Sequence, residues 1–210
     1  MSAVLFISFA VLVLISVPIA FSLGLSSVAA LVYQGNIPLV ASIQRLFTGV
    51  DSFPLLAIPF FMMAGALLST GGISKRLVDF ASALVGHRPA GLAYVTALAS
   101  MLFAAVSGSG AATTAAIGGF MIPALVKKGY KPEMASALQA SAGSLGVVIP
   151  PSIPLVLFGF ISGVSIAELF LAGIIPGIAM GLVIMLVSYL MVRNNSKDTI
   201  EERVPWKETV

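Results

Sequence analysis

The stretch Ala104-Ala-Val-Ser107-Gly108-Ser109-Gly110-Ala-Ala-Thr113-Thr114-Ala-Ala-Ile-Gly118-Gly119-Phe-Met-Ile-Pro123 lies inside a charge-free run, 89–126. At its middle, serine and glycine alternate over positions 107–110. Glycine costs a helix interior about 1 kcal/mol relative to alanine, and serine competes for backbone hydrogen bonds. The pattern predicts two apolar half-helices meeting at a polar tip. Bilayer hydrocarbon tolerates irregular backbone only where protein buries it or where it lines a cavity. A serine-rich break at membrane depth is therefore a candidate binding site.

Composition makes the membrane setting plain. The chain is 59% hydrophobic with a mean hydropathy of +1.08, and 9% of its residues are charged. Soluble domains carry roughly 25% charge. Charge-free runs cover 1–44, 52–74, 89–126, 134–167 and 169–192, room for about five to seven segments at about 20 residues per span. A formal charge of +3 is too small to point to nucleic acid. With no cysteine, disulfides and Cys-ligated metals are excluded. The N-terminal apolar stretch lacks a basic leader and is too long for a signal peptide, so it reads as a retained membrane helix.

From the N-terminus, residues 2–33 are expected to form one span, kinked at Pro18, with Gly24-Leu-Ser-Ser as a close-packing face. Tyr33-Gln-Gly-Asn-Ile-Pro38 reads as a turn. Residues 39–49 suit a short interfacial helix. An apolar segment over 53–69 follows, with Pro54 in its first turn, a bend at Pro59 and a stop at Gly71-Gly72. In 73–86, Ile73, Leu77, Phe80, Ala81 and Leu84 fall on one helical face, opposite Lys75, Arg76 and Asp79. That is an amphipathic helix too short and too charged to span. The one histidine, His87, follows beside Arg88-Pro89. Proton relay and catalytic base are the alternatives for it, but no carboxylate is near in sequence, so it reads as interfacial.

Run 89–126 has length for two spans, but its central break favours a re-entrant hairpin, closed by Lys127-Lys128-Gly-Tyr-Lys131. Pro132-Glu133 then starts a helix, with proline at its first position and an acid in its first turn. It fails over Gly143-Ser-Leu-Gly146-Val-Val-Ile149-Pro150-Pro151-Ser152-Ile-Pro154, because three prolines cannot continue an α-helix. The flanks, 135–145 and 155–164, are both apolar, which predicts a discontinuous membrane helix. A last span over 167–192 contains Gly173, Pro176, Gly177 and Gly181; the tail 198–210 is polar. Lys75, Arg76, Arg88, Lys127, Lys128, Lys131, Arg193 and Lys197 are expected on the cytoplasmic side, and Asp51 and Glu168 near the other.

Unwound membrane backbone presents carbonyls that suit Na⁺, and half-helix N-termini suit anions. Ser107, Ser109, Thr113 and Thr114 can supply hydroxyl oxygens from the tip. The backbone of 143–151, with Ser144 and Ser152, can supply more, and proline fixes φ at 150 and 151. Small residues also serve close helix packing. That plainer reading is preferred for Gly24, Gly118-Gly119 and Gly173/Gly177/Gly181. It fits the serine–glycine tetrad and the triple-proline interruption poorly, because packing faces need small residues at spacing four.

At these residues the sequence resembles the large membrane (M) subunit of tripartite ATP-independent periplasmic (TRAP) transporters of the dicarboxylate and sialic acid type. The matching text is Ser107-Gly-Ser-Gly-Ala-Ala-Thr-Thr-Ala-Ala-Ile-Gly118, Met121-Ile-Pro-Ala-Leu-Val-Lys-Lys-Gly-Tyr130, Ala140-Ser-Ala-Gly-Ser-Leu-Gly146, Ile149-Pro-Pro-Ser-Ile-Pro154 and Leu169-Phe-Leu-Ala-Gly-Ile-Ile-Pro-Gly177. The resemblance covers about 53–177. It implies an all-α, polytopic protein of the bacterial inner membrane that imports an organic acid with sodium by an elevator motion, and no enzyme. It implies three partners: a periplasmic substrate-binding protein (P), a small membrane subunit (Q) and a second half of the M subunit. Scaffold helices would occupy 1–72 and 165–193, and an amphipathic arm 73–88. The moving half would be 89–164, with the hairpin at 90–126 and the broken helix at 133–163. Sodium, the coupling ion and the sole ligand besides substrate, would take Ser107, Ser109, Gly146, Ile149 and Pro150. The substrate carboxylate would take Ser107, Thr113 and Ser152.

One departure stands out. The family subunit has two inverted repeats, and this chain contains one hairpin and one broken helix. Its tail, Glu201-Glu-Arg-Val-Pro-Trp206 within 194–210, resembles the linker between halves. The chain is expected to be a first half, unable alone to complete transport. An assembly-only subunit is the non-catalytic alternative. An intramembrane serine protease is the enzymatic one, and it lacks a general base, since Ala105-Val-Ser107-Gly108 departs from Gly-x-Ser-Gly and the one histidine sits at a charged border.

Overall fold

A computed structural model describes residues 1–35 and 38–193. The turn residues 36–37 and the linker-like tail 194–210 lie outside the described residues. Every regular element among the described residues is helical, and the chain divides into two units at residue 53.

In the first unit, α1 (Ser2–Leu14) and α2 (Ile19–Gln34) pack against one another and α3 (Leu39–Val50) follows. The expected single span over 2–33 is corrected. Ser16 takes a left-handed φ of 63° and Pro18 caps α2. Proline has no N–H and pushes the residue before it out of the helical region, so the chain turns back instead of kinking. The close-packing face is shifted rather than lost, since Ser26 of Gly24-Leu-Ser-Ser belongs to it. Ser22, Ser26 and Ala30 are buried at spacing four, whereas Gly24 faces open space. The buried hydroxyls bond to carbonyls of their own segment, Ser22 to Val17 and Pro18, Ser26 to Leu23.

The second unit begins with α4 (Phe53–Thr70), which contains Pro59, and α5 (Ile73–Val85). The hairpin follows as α6 (Gly91–Ser107) and α7 (Gly110–Lys127), packed together. Lys131 then caps a discontinuous helix: α8 (Pro132–Gly143), the short α9 (Leu145–Val148), and α10 (Ile153–Ser162) after the gap. The long α11 (Ile166–Arg193) ends the described chain. Among the described residues, four elements are long and apolar enough to cross a membrane: Phe53–Thr70, Gly110–Lys127, the composite Pro132–Ser162 and Ile166–Met191.

The core is small. Ala81, Val95, Ala99, Phe103, Ala116, Ile117 and Met121 tie α5 to the hairpin. Ala90, Ala93, Leu125, Tyr130, Ala135 and Leu138 tie the hairpin to α8. The inner face of α5 differs from expectation. Ser74 and Ala81 are buried, with Leu77, Val78 and Val85 packed on the core, while Phe80 is 42% exposed. Small side chains let two helices approach closely, so Ser74 and Ala81 win the contact and Phe80 is left outside. Lys75, Arg76 and Asp79 are exposed as expected.

Candidate functional site: the hairpin tip in the broken helix

The serine–glycine tetrad forms the tip, because α6 stops where Gly108 adopts a left-handed φ of 63°. Ser109 then caps α7, its hydroxyl accepting from Ala112 N at 3.3 Å. The opposing helix breaks for a different reason. A helical carbonyl needs the N–H four residues on, and positions 150 and 151 are prolines. Gly146 O and Val147 O therefore lose their helical donors. Ser152 Oγ donates to Val147 O at 2.5 Å in place of the missing N–H.

The tip is set into this gap. Ile153 N, at the open start of α10, donates to Gly108 O at 3.1 Å. A Cβ on Gly108 would stand 2.7 Å from Pro151 O, and one on Gly146 2.7 Å from both Ser109 O and Thr113 Oγ1. Lengths agree with the meeting. From Gly91 to Ser107 and from Pro132 to Val148 the chain rises for 17 residues each, about 25 Å of helix at 1.5 Å per residue.

Inside the tip the polar groups form a closed loop. Thr113 Oγ1 donates to Ser109 O at 2.8 Å, which uses its one proton. In the 3.1 Å contact between Ser107 and Thr113, Ser107 is therefore the donor. Ser109 N in turn donates to Ser107 Oγ at 3.5 Å. Ser107, Thr113 and Ser152 are at most 1% exposed. The structure thus brings Ser107, Ser109, Thr113, Gly146 and Ser152 together. Ile149 and Pro150 lie at the same break, their side chains turned toward α11: a Cβ on Gly177 would meet Ile149 Cγ1 at 2.7 Å, and one on Gly173 would lie 3.6 Å from Pro150 Cδ. Gly173 and Gly177 thus serve close packing of α11 on the break.

Sequence reasoning missed Gln139. Fully buried on α8, it donates from Nε2 to Thr113 O and Thr114 O at 3.5 Å each, pinning the first turn of α7. Its Oε1 has no hydrogen-bond partner among the described residues. The available signal was that Gln139 is the one amide side chain in the charge-free run 134–167.

Two C-terminal helix ends (α6, α9) and two N-terminal ends (α7, α10) converge here. The former favour a cation and the latter an anion. All donor atoms are neutral hydroxyls and carbonyls, the ligand type of hard cations. Among the described residues no cluster of His, Asp or Glu could hold a transition metal.

Helices with mostly exposed apolar faces around a polar centre define an α-helical membrane protein. A family model described as "Tripartite ATP-independent periplasmic transporter, DctM component" matches residues 6–208, and the chain belongs to that family. It is 47% identical over 186 residues to the isethionate TRAP transporter permease protein DctMQ of Oleidesulfovibrio alaskensis (89% of this chain, 29% of the relative). It is 41% identical over 209 residues to the C4-dicarboxylate TRAP transporter large permease protein DctM of Vibrio cholerae (99% and 46%). To the 2,3-diketo-L-gulonate TRAP transporter large permease protein YiaN of Escherichia coli it is 44% identical over 193 residues (90% and 45%). The chain spans about half the length of these relatives or less. They are permease subunits rather than enzymes, which removes the protease alternative.

Proposed function

We propose that this chain is the part of a TRAP transporter large permease that carries one sodium site and part of the organic-acid site, at the junction of hairpin tip and broken helix. The observation that carries this reading is the insertion of the tip into the gap, marked by the Ile153 N to Gly108 O bond. Sodium takes the free lone pairs of Ser107 Oγ and Thr113 Oγ1 together with break carbonyls such as Gly146 O, whose helical donor proline removes. Ser109, Ile149 and Pro150 complete the candidate set. The substrate carboxylate faces the N-termini of α7 and α10 near Ser107, Thr113 and Ser152.

Coupling follows from the shared residues. A sodium ion at the tip supplies positive charge beside the carboxylate, and both draw on Ser107. The tip bond and the Gln139 bonds tie hairpin to broken helix, so the two move as one body, as an elevator step requires. The hairpin is re-entrant in this reading: the chain turns back at the tip, and the open ends of α6 and α7 lie together, where Ala90 and Ala93 pack with Leu125. Isethionate, C4-dicarboxylates and 2,3-diketo-L-gulonate, named for the relatives, are all organic anions, and a dicarboxylate or sugar acid fits the same chemistry. A second hairpin and broken helix, a small Q-type subunit and a periplasmic binding protein complete the inner-membrane assembly. One relative's joint designation DctMQ supports the Q partner.

The test is uptake of labelled organic acid by proteoliposomes holding the complete assembly. Uptake should require an inward sodium gradient, and Ser107→Ala should lose that dependence. Equal uptake in potassium would contradict the reading.

A further inference from the structure

Helix α4 holds one glycine, Gly65, and it is the one buried residue of that helix. Glycine costs a helix interior about 1 kcal/mol relative to alanine, and here close approach accounts for it. A Cβ on Gly65 would stand 3.3 Å from Ser107 Cβ, 3.5 Å from Ser107 Cα and 3.8 Å from Ser107 O. The first distance falls inside the optimal carbon–carbon separation of about 3.5–4.0 Å. All three nearest atoms belong to Ser107. The contact is particular to this position, since Gly119, also helical, has nothing within 4 Å.

Ser107 is therefore held from two sides. Its hydroxyl meets Thr113 Oγ1 at 3.1 Å and accepts from Ser109 N at 3.5 Å. Its Cα and Cβ are backed by α4 at Gly65, and the residue is buried. Leu68, one turn further along α4, packs against the core shared by α5 and the hairpin, which anchors α4 at this level. A methyl group at 65 must either press on Ser107 or lift α4 away from it. Pressing moves the hydroxyl, and a ligand atom serves only while its packing holds it within about 0.5 Å of the productive position. Lifting uncovers Ser107, and an ion is attracted less strongly to an oxygen in more polar surroundings.

With Ser107 as a sodium ligand in the reading above, we propose that Gly65 is a positioning residue for the cation. Having no side chain, it lets α4 close over Ser107 and keep the hydroxyl on the side of Thr113 and the ion. The test is a sodium titration of organic-acid uptake by proteoliposomes holding the complete assembly. Gly65→Ala should raise the half-saturating sodium concentration about tenfold, the factor for about 1.4 kcal/mol of binding, and keep the maximal rate at saturating sodium. Ala66→Leu, an exposed position on the same helix, should leave both unchanged. Leu68→Ala loosens α4 without pressing on Ser107; it should shift half-saturation in the same direction and replaces Gly65→Ala if that variant does not assemble. Half-saturation unchanged in Gly65→Ala, a fall in its maximal rate alone, or an equal shift in Ala66→Leu would each overturn the proposal. So would unchanged half-saturation in Leu68→Ala where it stands in. Native uptake indifferent to sodium would instead overturn the sodium reading itself, and this role with it.

Discussion

Gly146 has no room for a side chain. A Cβ there would press on Ser109 O and Thr113 Oγ1, each 2.7 Å away, and both atoms belong to the hydrogen-bonded loop of the tip. Ser109 O cannot yield without moving backbone, and Thr113 Oγ1 can turn aside only by giving up its bond to Ser109 O. Gly146→Ala should therefore destabilise by about 1–3 kcal/mol, the usual range for overpacking, and lower the melting temperature in detergent. Gly119→Ala is the matched control: nothing lies within 4 Å of its Cβ position, and alanine favours the helix by up to about 1 kcal/mol. A melt that falls equally for both would contradict the tip geometry. The tetrad was legible in sequence because four polar or flexible residues interrupt an apolar run. The direction of the Ser107–Thr113 bond was not, since it depends on where the Thr113 proton already goes. Gln139 was hidden for a similar reason: a lone amide declares a partner only once α7 lies against it.

The helices themselves were largely readable. Pro18, the tetrad and Pro150-Pro151 all fall at observed interruptions, whereas the stop at Gly163, inside the apolar flank 155–164, was not read. The spatial outcome at those interruptions was less so. A proline in an apolar run can kink a helix or reverse it, and at 15–18 the left-handed Ser16 decides for reversal. Similarly, the charges of α5 located its outer side, while the inner side turned on size. Ala81→Leu should cost about 1–3 kcal/mol because the position is fully buried against α6 and α7. Phe80→Ala should change stability by less, about 0.5 kcal/mol as for an open surface position. Thermal melts of the two variants check the assignment; the reverse order would restore the face expected from hydrophobicity.

At the scale of the molecule, exposure follows the membrane. Little of α4 or α11 is buried, yet both are strongly apolar. Such faces need an apolar cover, and the chain spans about half the length of these relatives. The polar centre is different, because all four helix ends that build it come from this one chain. Cation binding should therefore be detectable without any partner. The decisive measurement is thermal unfolding of the detergent-purified chain in sodium, with potassium and choline at equal ionic strength. A ligand held only by the folded state stabilises it by about 2.7 kcal/mol at a hundredfold excess over Kd. The expected result is a rise in melting temperature in sodium alone, absent in Ser107→Ala. Identical melts in all three salts, or a sodium rise that survives Ser107→Ala, would contradict a cation site at the meeting of tip and break.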